Sequence, residues 1–167
     1  MDFGRIGTAM ITPFTKDNQI NYPELERIIN HLIDNGTDFI VACGTTSENP
    51  TMSTEEKKEV VRFTVEKVAG RVPVVAGTGD NETAYSIMMT HEAEKNGADG
   101  IMLVTPYYNK PNQRGMYAHF ETIAKETKLP VMLYNVPGRT GANINADTTI
   151  ALSNDVPNIT SIKEASG

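Results

Sequence analysis

Lys163 stands near the end of an apolar run, "ITSIKEA" (159–165). A lysine amine taken out of water loses its proton near neutral pH and can attack a ketone to form a Schiff base. Other apolar runs of the chain end in groups suited to the same chemistry. "FIVACGT" (39–45) leads into Gly44-Thr45-Thr46-Ser47-Glu48, "GIMLVTP" (100–106) into Tyr107-Tyr108-Asn109, and "LPVMLYNVP" (129–137) carries Tyr134 and leads into Gly138-Arg139. Phenols and threonine hydroxyls can relay protons to and from a carbinolamine and an enamine. Backbone N–H groups at Gly44-Thr45-Thr46, leading towards a helix, can hold a carboxylate. Arg139 offers a bidentate grip on a second one.

Taken singly, each of these residues has a plainer reading. Lys163 could face solvent, Tyr107 and Tyr108 could pack or sit in an interface, Gly44-Thr45-Thr46 could be a turn, Tyr134 a core tyrosine with a satisfied hydroxyl, and Arg139 a surface charge. Their shared position at the ends of successive apolar runs favours one site. Cys43 reads as a small buried residue beneath that rim, with no role. No carboxylate pair of glycosidase type and no Ser/His/Asp set is evident. His31, His91 and His119 lack H-x₃-H spacing and nearby cysteines, so no zinc centre is expected.

The elements that must position these residues alternate regularly. "IGTAMITP" (6–13), "FIVACGT", "VPVVAGT" (72–78), "GIMLVTP", "LPVMLYNVP" and "ITSIKEA" read as six strands. "PELERIINHLIDNG" (23–36) places Leu25, Ile28, Ile29, Leu32 and Ile33 on one helical stripe, with Gly36 as a left-handed stop. "STEEKKEVVRFTVEKVAG" (53–70) opens with Ser53 and Glu56 in capping-box spacing and closes at Gly70. Helices are also expected over 82–97, 113–127 and 146–154. "LIDNGTDFIVACGT" and "EAEKNGADGIMLVTP" echo one another, each with a helix end, Asn-Gly, one residue, Asp and then a strand. Repeating βα units require right-handed crossovers and give a parallel sheet. Both an open doubly wound sheet and part of a (β/α)₈ barrel fit six such units, and in either the site lies at the carboxyl ends of strands. The first strand leads into "ITPFTKDNQI" with no G-x-G-x-x-G, and the glycines of "AGTGDNE" make an incomplete phosphate-binding fingerprint.

Bulk properties bound the partners. Apolar residues are 39% and charged residues 22%, as in a soluble globular protein. A net charge of −6 argues against nucleic-acid or anionic-membrane partners. No apolar run reaches the roughly 18 residues of a membrane helix. The start "MDFGRIGTAM", with Asp2 at its head, lacks a signal-peptide stretch, and a single cysteine fits a reducing compartment, so a cytoplasmic location is expected. No linker or low-complexity segment interrupts residues 1–167, which read as one domain.

"CGTTSENPTMSTEEK", "VAGTG", "VTPYYNKP", "LYNVPGRTG" and "SIKEASG" together resemble the dihydrodipicolinate synthase family of pyruvate-dependent class I aldolases. The resemblance runs in order from about residue 4 to residue 167. Sister N-acetylneuraminate lyases typically have Ser-Thr in place of Thr45-Thr46 and lack the arginine. The resemblance implies a TIM (β/α)₈ barrel followed by a helical domain, of which this chain would carry about the first six βα units. It implies condensation of pyruvate with aspartate semialdehyde to 4-hydroxy-tetrahydrodipicolinate, in lysine and diaminopimelate biosynthesis. No cofactor is implied beyond a covalent pyruvate Schiff base on Lys163. Tyr134 would be the general acid/base near that bond, with Thr45 and Tyr108 completing the proton relay. Thr45 and Thr46 would hold the pyruvate carboxylate, and Arg139 the carboxylate of the semialdehyde. In the family the tyrosine matching Tyr108 is lent by a neighbouring subunit, so a homo-oligomer is implied, a dimer of dimers in the family.

Three departures from the family carry expectations of their own. Ser47 and Asn49 replace a small residue and a serine; were residue 47 to need positive φ, Ser47 would cost on the order of 1 kcal/mol and could crowd the pyruvate pocket. The family chain is far longer, and a six-strand barrel cannot close with its usual registry, leaving the first and last strands as edges. Of the residues used for lysine feedback only Asn81 and Tyr107 fit, so no lysine inhibition is expected. Two alternatives stand beside the main reading: another pyruvate-dependent aldolase or lyase acting on a keto-sugar acid, or an inactive fragment or interaction module.

Overall fold

Strands and amphipathic helices alternate along the chain as their periodicities require. The computed structural model describes residues 3–167. Met1 and Asp2, the latter read above as the polar head of the chain, lie outside them. Among the described residues two compact units form, one running up to Gly77 and including Lys95–Asp99, the other from Thr78–Glu94 with Gly100–Gly167.

The first unit holds strands β1 (Gly7–Ala9), β2 (Phe39–Ala42) and β3 (Val74–Gly77), with helices α1 (Tyr22–Asp34) and α2 (Thr54–Val68). The strands pair in parallel in chain order, with Thr8 beside Ile40 and Ile40 beside Val74. In α1 the Asn21 side chain accepts the Glu24 N–H at 3.2 Å, and Leu25 and Ile29 of the apolar stripe are fully buried. Gly36 takes the left-handed conformation (φ +85°) that ends the helix. Ser53 and Glu56 form the reciprocal capping box of α2. Its left-handed turn begins at Ala69 (φ +50°), one residue before Gly70. β1 is shorter than its apolar run. Met10 N–H still bonds Val41 O at 3.0 Å, but the chain then leaves the ladder and an antiparallel bridge joins Phe14 to Ile20. Pro13, lacking an N–H, could not have continued that ladder as a donor.

The second unit holds β4 (Gly100–Val104), β5 (Val131–Asn135) and β6 (Ile159–Glu164), again parallel and in chain order. Its helices are α3 (Thr83–Lys95, of which Lys95 falls in the first unit), α4 (Gln113–Ala124), α5 (Pro137–Thr140) and α6 (Ala146–Asp155). β5 is buried along its whole length, as a near-continuous apolar strand of a parallel sheet should be. The four-residue α5 and a single 3₁₀ turn at Asn49–Thr51 have no periodicity to betray them in sequence; each has proline at its start.

The glycines of "VAGTG" turn out to serve close packing. A Cβ on Gly77 would stand 2.3 Å from Cys43 O, and one on Gly79 would stand 2.5 Å from Val104 N. In each unit, neighbouring backbone occupies the space that a side chain would need.

His119 of α4 is buried, with Nδ1 2.8 Å from Thr83 Oγ1 and Nε2 without a hydrogen-bond partner among the described residues. Burial pushes its pKa down to about 4. The folded chain therefore holds this imidazole neutral, while the unfolded chain protonates it near pH 6.5. The unfolded state binds the extra proton between those values, so stability falls as pH falls through that window. The loss should be about 1 kcal/mol between pH 7 and 5.5, and on the order of 3 kcal/mol by pH 4. Urea denaturation at pH 7 and 5.5 checks this: the part of the loss due to His119 should be missing in His119→Gln.

Candidate active site

β5 and β6 bring two of the expected residues together. Tyr134 and Lys163 are partners in the parallel register, and Lys163 Nζ lies 4.5 Å from the centroid of the Tyr134 ring. That is cation–π distance. Tyr134 is only 5% exposed. Along β6 burial alternates: Ile159, Ser161 and Lys163 are the more buried, and Thr160, Ile162 and Glu164 are exposed. Neither the Lys163 ammonium nor the Tyr134 hydroxyl makes a hydrogen bond or ion pair among the described residues.

The chain around this pair is heavily tied. Thr105, just past β4, donates its N–H to Tyr134 O at 2.9 Å, and its hydroxyl reaches Thr140 Oγ1 at 3.4 Å. Thr140 Oγ1 also bonds Val136 O and Ala142 O, closing the turn that carries Arg139. Arg139 itself is exposed and makes no ion pair among the described residues. On the face of β5 and β6 away from Lys163, the buried Asn135 amide bonds both carboxylate oxygens of Glu164, at 3.1 and 3.0 Å.

Tyr107 and Tyr108 part company. Tyr107 donates its hydroxyl to Asp80 Oδ2 at 2.9 Å; burial and that carboxylate push its pKa up to about 12. Asn81 Nδ2 donates to Tyr107 O at 3.3 Å, which fixes the same loop. Tyr108 is 90% exposed and takes a left-handed backbone (φ +68°), costly for a side chain of its size. Asp80 was not among the residues singled out from sequence. Its signal is the lone acid that follows the glycines in "AGTGD".

The first unit carries Thr45 and Thr46, beyond β2. Their loop is built on left-handed residues at Cys43 (φ +54°) and Glu48 (φ +57°). Ser47 is not left-handed, so the strain expected there is absent. Its buried hydroxyl donates to Met10 O. Asn49 Nδ2 donates to Cys43 O at 2.6 Å and Gly77 O at 3.3 Å, satisfying carbonyls at the ends of β2 and β3. Both departures from the family pattern therefore act as loop supports. The hydroxyls of Thr45 and Thr46 make no hydrogen bond among the described residues. Cys43 is buried and its thiol is pushed up to about 12 by desolvation, in keeping with a packing residue. No cluster of three or more His, Cys, Asp or Glu side chains suited to a metal ion lies among the described residues.

Comparison with known proteins places these elements. The Dihydrodipicolinate synthetase family model matches residues 2–167. The 4-hydroxy-tetrahydrodipicolinate synthase of Bacillus subtilis (strain 168) is 58% identical over 167 residues, covering 100% of this chain and 58% of the relative. A dihydrodipicolinate synthase from Bacillus anthracis superposes with TM-score 0.96 at 53% identity, covering 98% of this chain and 56% of that one. The chloride-inhibited enzyme from Acinetobacter baumannii complexed with pyruvate superposes with TM-score 0.94 at 44% identity, covering 96% and 55%. The fold is thus that of the first six βα units of a TIM (β/α)₈ barrel, and the open doubly wound sheet is set aside. The chain belongs to the dihydrodipicolinate synthetase family. It spans little more than half the length of the relatives it matches.

Asn49→Ala should lower stability by about 1–2 kcal/mol, because two strand-end carbonyls lose their side-chain donor. The shift should be seen in the urea midpoint with the slope unchanged.

Proposed function

We propose that the protein carrying this sequence is a Schiff-base lyase that condenses pyruvate with aspartate semialdehyde to 4-hydroxy-tetrahydrodipicolinate. The observation that carries the proposal is Lys163 Nζ against the Tyr134 ring, 4.5 Å from its centroid, on paired strand ends. The names of the relatives and the pyruvate complex of the Acinetobacter baumannii enzyme support the substrate class.

The Lys163 amine attacks the ketone carbon of pyruvate. The carbinolamine loses water to give the imine, and the adjacent methyl group gives up a proton to form the enamine. The enamine carbon then bonds the aldehyde carbon of the semialdehyde, whose oxygen takes up a proton; the semialdehyde's own amine attacks the regenerated imine carbon, closing the ring and expelling the Lys163 amine. Tyr134, with its hydroxyl uncommitted, serves as the acid/base beside the amine. Thr45 and Tyr108 extend the proton relay, Thr45 and Thr46 bind the pyruvate carboxylate, and Arg139 receives the second carboxylate. The imine nitrogen accepts the electron pair, so the scheme calls for no cofactor. Tyr108, at 90% exposure, is suited to completing the site of a second copy of the chain. The working protein in this reading is a cytoplasmic homo-oligomer, a dimer of dimers.

Pyruvate with borohydride should leave a reduced adduct on Lys163, mapped by mass spectrometry of the digest. A protein that binds pyruvate yet yields no adduct there sinks the mechanism. Arg139→Ala should raise KM for aspartate semialdehyde by roughly 10–100-fold, the worth of a lost charge-assisted contact, with pyruvate trapping unchanged. Unchanged kinetics with the semialdehyde would turn the reading towards a keto-sugar acid as substrate.

A further inference from the structure

We infer that Asn135 and Glu164 form a register lock that keeps Lys163 opposite Tyr134, making both of them positioning residues for the amine chemistry. The inference rests on the Schiff-base reading of Lys163.

The β5–β6 ladder is irregular. Val131 pairs with Ile159, but the next pair is Met132 with Ser161, so Thr160 is skipped. Above the skip the pairs run Leu133 with Ile162, Tyr134 with Lys163 and Asn135 with Glu164. Without the skip, Ile162 would stand beside Tyr134 and Lys163 beside Asn135. Because paired residues share a face and neighbours alternate, Lys163 would then point away from the Tyr134 ring. The amine meets the phenol only in the shifted register.

At the lower end Asn158 Nδ2 donates to Ala124 O, Thr127 O and Leu129 O, and Asn158 O accepts the Val131 N–H, but these bonds all lie before the skip and do not set the register above it. The Ser161 hydroxyl, brought into the ladder by the skip, is buried with no hydrogen-bond partner among the described residues. Above the skip, the bonds gather at Asn135. Asn135 is 1% exposed, and its Nδ2 donates to Asn143 Oδ1 at 2.8 Å as well as to both Glu164 oxygens. Asn135 Oδ1 accepts the Ile144 N–H at 3.2 Å, and Asn135 O accepts the Ala165 N–H at 2.9 Å. Glu164 Oε1 also accepts the Ser166 N–H at 2.9 Å. These bonds hold the Glu164 carboxyl below the usual carboxylate range, that of Asn135 foremost, and so keep it charged. A charged acceptor and a buried amide, both on the face away from Lys163, tie the rung directly above the reactive pair.

Glu164 is exposed, so its replacement leaves no cavity. In Glu164→Ala, borohydride trapping of pyruvate on Lys163 should slow by ~10-fold, as expected when a reacting group is displaced by a fraction of an ångström to an ångström. Half-saturating pyruvate should stay within about twofold, because the carboxylate-binding groups are untouched. Hydrogen exchange at the Ala165 amide should quicken in the same variant. N135D alone should also slow trapping, by setting two carboxylates face to face. N135D combined with E164Q restores an amide–carboxylate pair in reverse and should recover most of the rate, a rescue that a merely structural role would not produce. Trapping in the unsubstituted protein together with an unchanged rate in Glu164→Ala overturns the lock alone, as does a slowed rate that the double substitution leaves slow. Absence of trapping in the unsubstituted protein overturns the Schiff-base reading, and with it the purpose assigned to the lock.

Discussion

In a parallel strand pair, two side chains can work together only if they share a face, and they share a face only if they share a rung or stand an even number of rungs apart. The β5–β6 pair meets that condition for Tyr134 and Lys163 by dropping one residue from the ladder below them. The geometry of the amine depends on that one irregularity. In a regular ladder through the same residues Lys163 would stand beside Asn135, and the two side chains would be on opposite faces. β-Bulges and skips are often sited where a side chain must be re-aimed, and the skip at Thr160 is of that kind.

The hydrogen bonds of the strand-end loops divide into two classes. Ser47, Asn49, Asp80, Thr105, Asn135 and Thr140 have side-chain polar atoms committed within the fold, Ser47, Asn49 and Thr140 to backbone carbonyls, Asp80 to the Tyr107 hydroxyl, Thr105 to Thr140 and Asn135 to Glu164. Thr45, Thr46, Tyr108, Tyr134, Arg139 and Lys163 have side-chain polar atoms with no hydrogen bond among the described residues. Buried polar groups are ordinarily satisfied within the fold. Within each unit, the second set can therefore meet solvent or a polar ligand without first breaking internal bonds.

Much of this is legible in the sequence, for local reasons. The stripe from Leu25 to Ile33, the Ser53–Glu56 box and the apolar runs of β4 and β5 each declare an element within a few residues. Alternation of those elements then restricts the architecture to parallel sheets, although periodicity leaves the open sheet and the barrel equally possible. Features that depend on distant backbone are not legible. Nothing in "VAGTG" says that Gly77 faces Cys43 O or that Gly79 faces Val104 N. Ser47 reads as a strained intruder until Met10 O is seen beside it, because its partner lies 37 residues away. The register of β6 depends on which of two adjacent residues meets Met132, and the alternating pattern of "ITSIKE" suits either choice.

Cys43, which shapes the threonine loop through a left-handed backbone, has a consequence for how the protein can be handled. With its thiol pushed up to about 12 by burial, Cys43 carries almost no thiolate at neutral pH, and burial shields the thiol itself. Thiol-directed reagents therefore meet a chain that is, in practice, free of cysteine. Within these 167 residues, a cysteine introduced beside the exposed Tyr108 would be the site that labels. A fluorophore or spin label attached there would report on that loop alone, with the native thiol left in place.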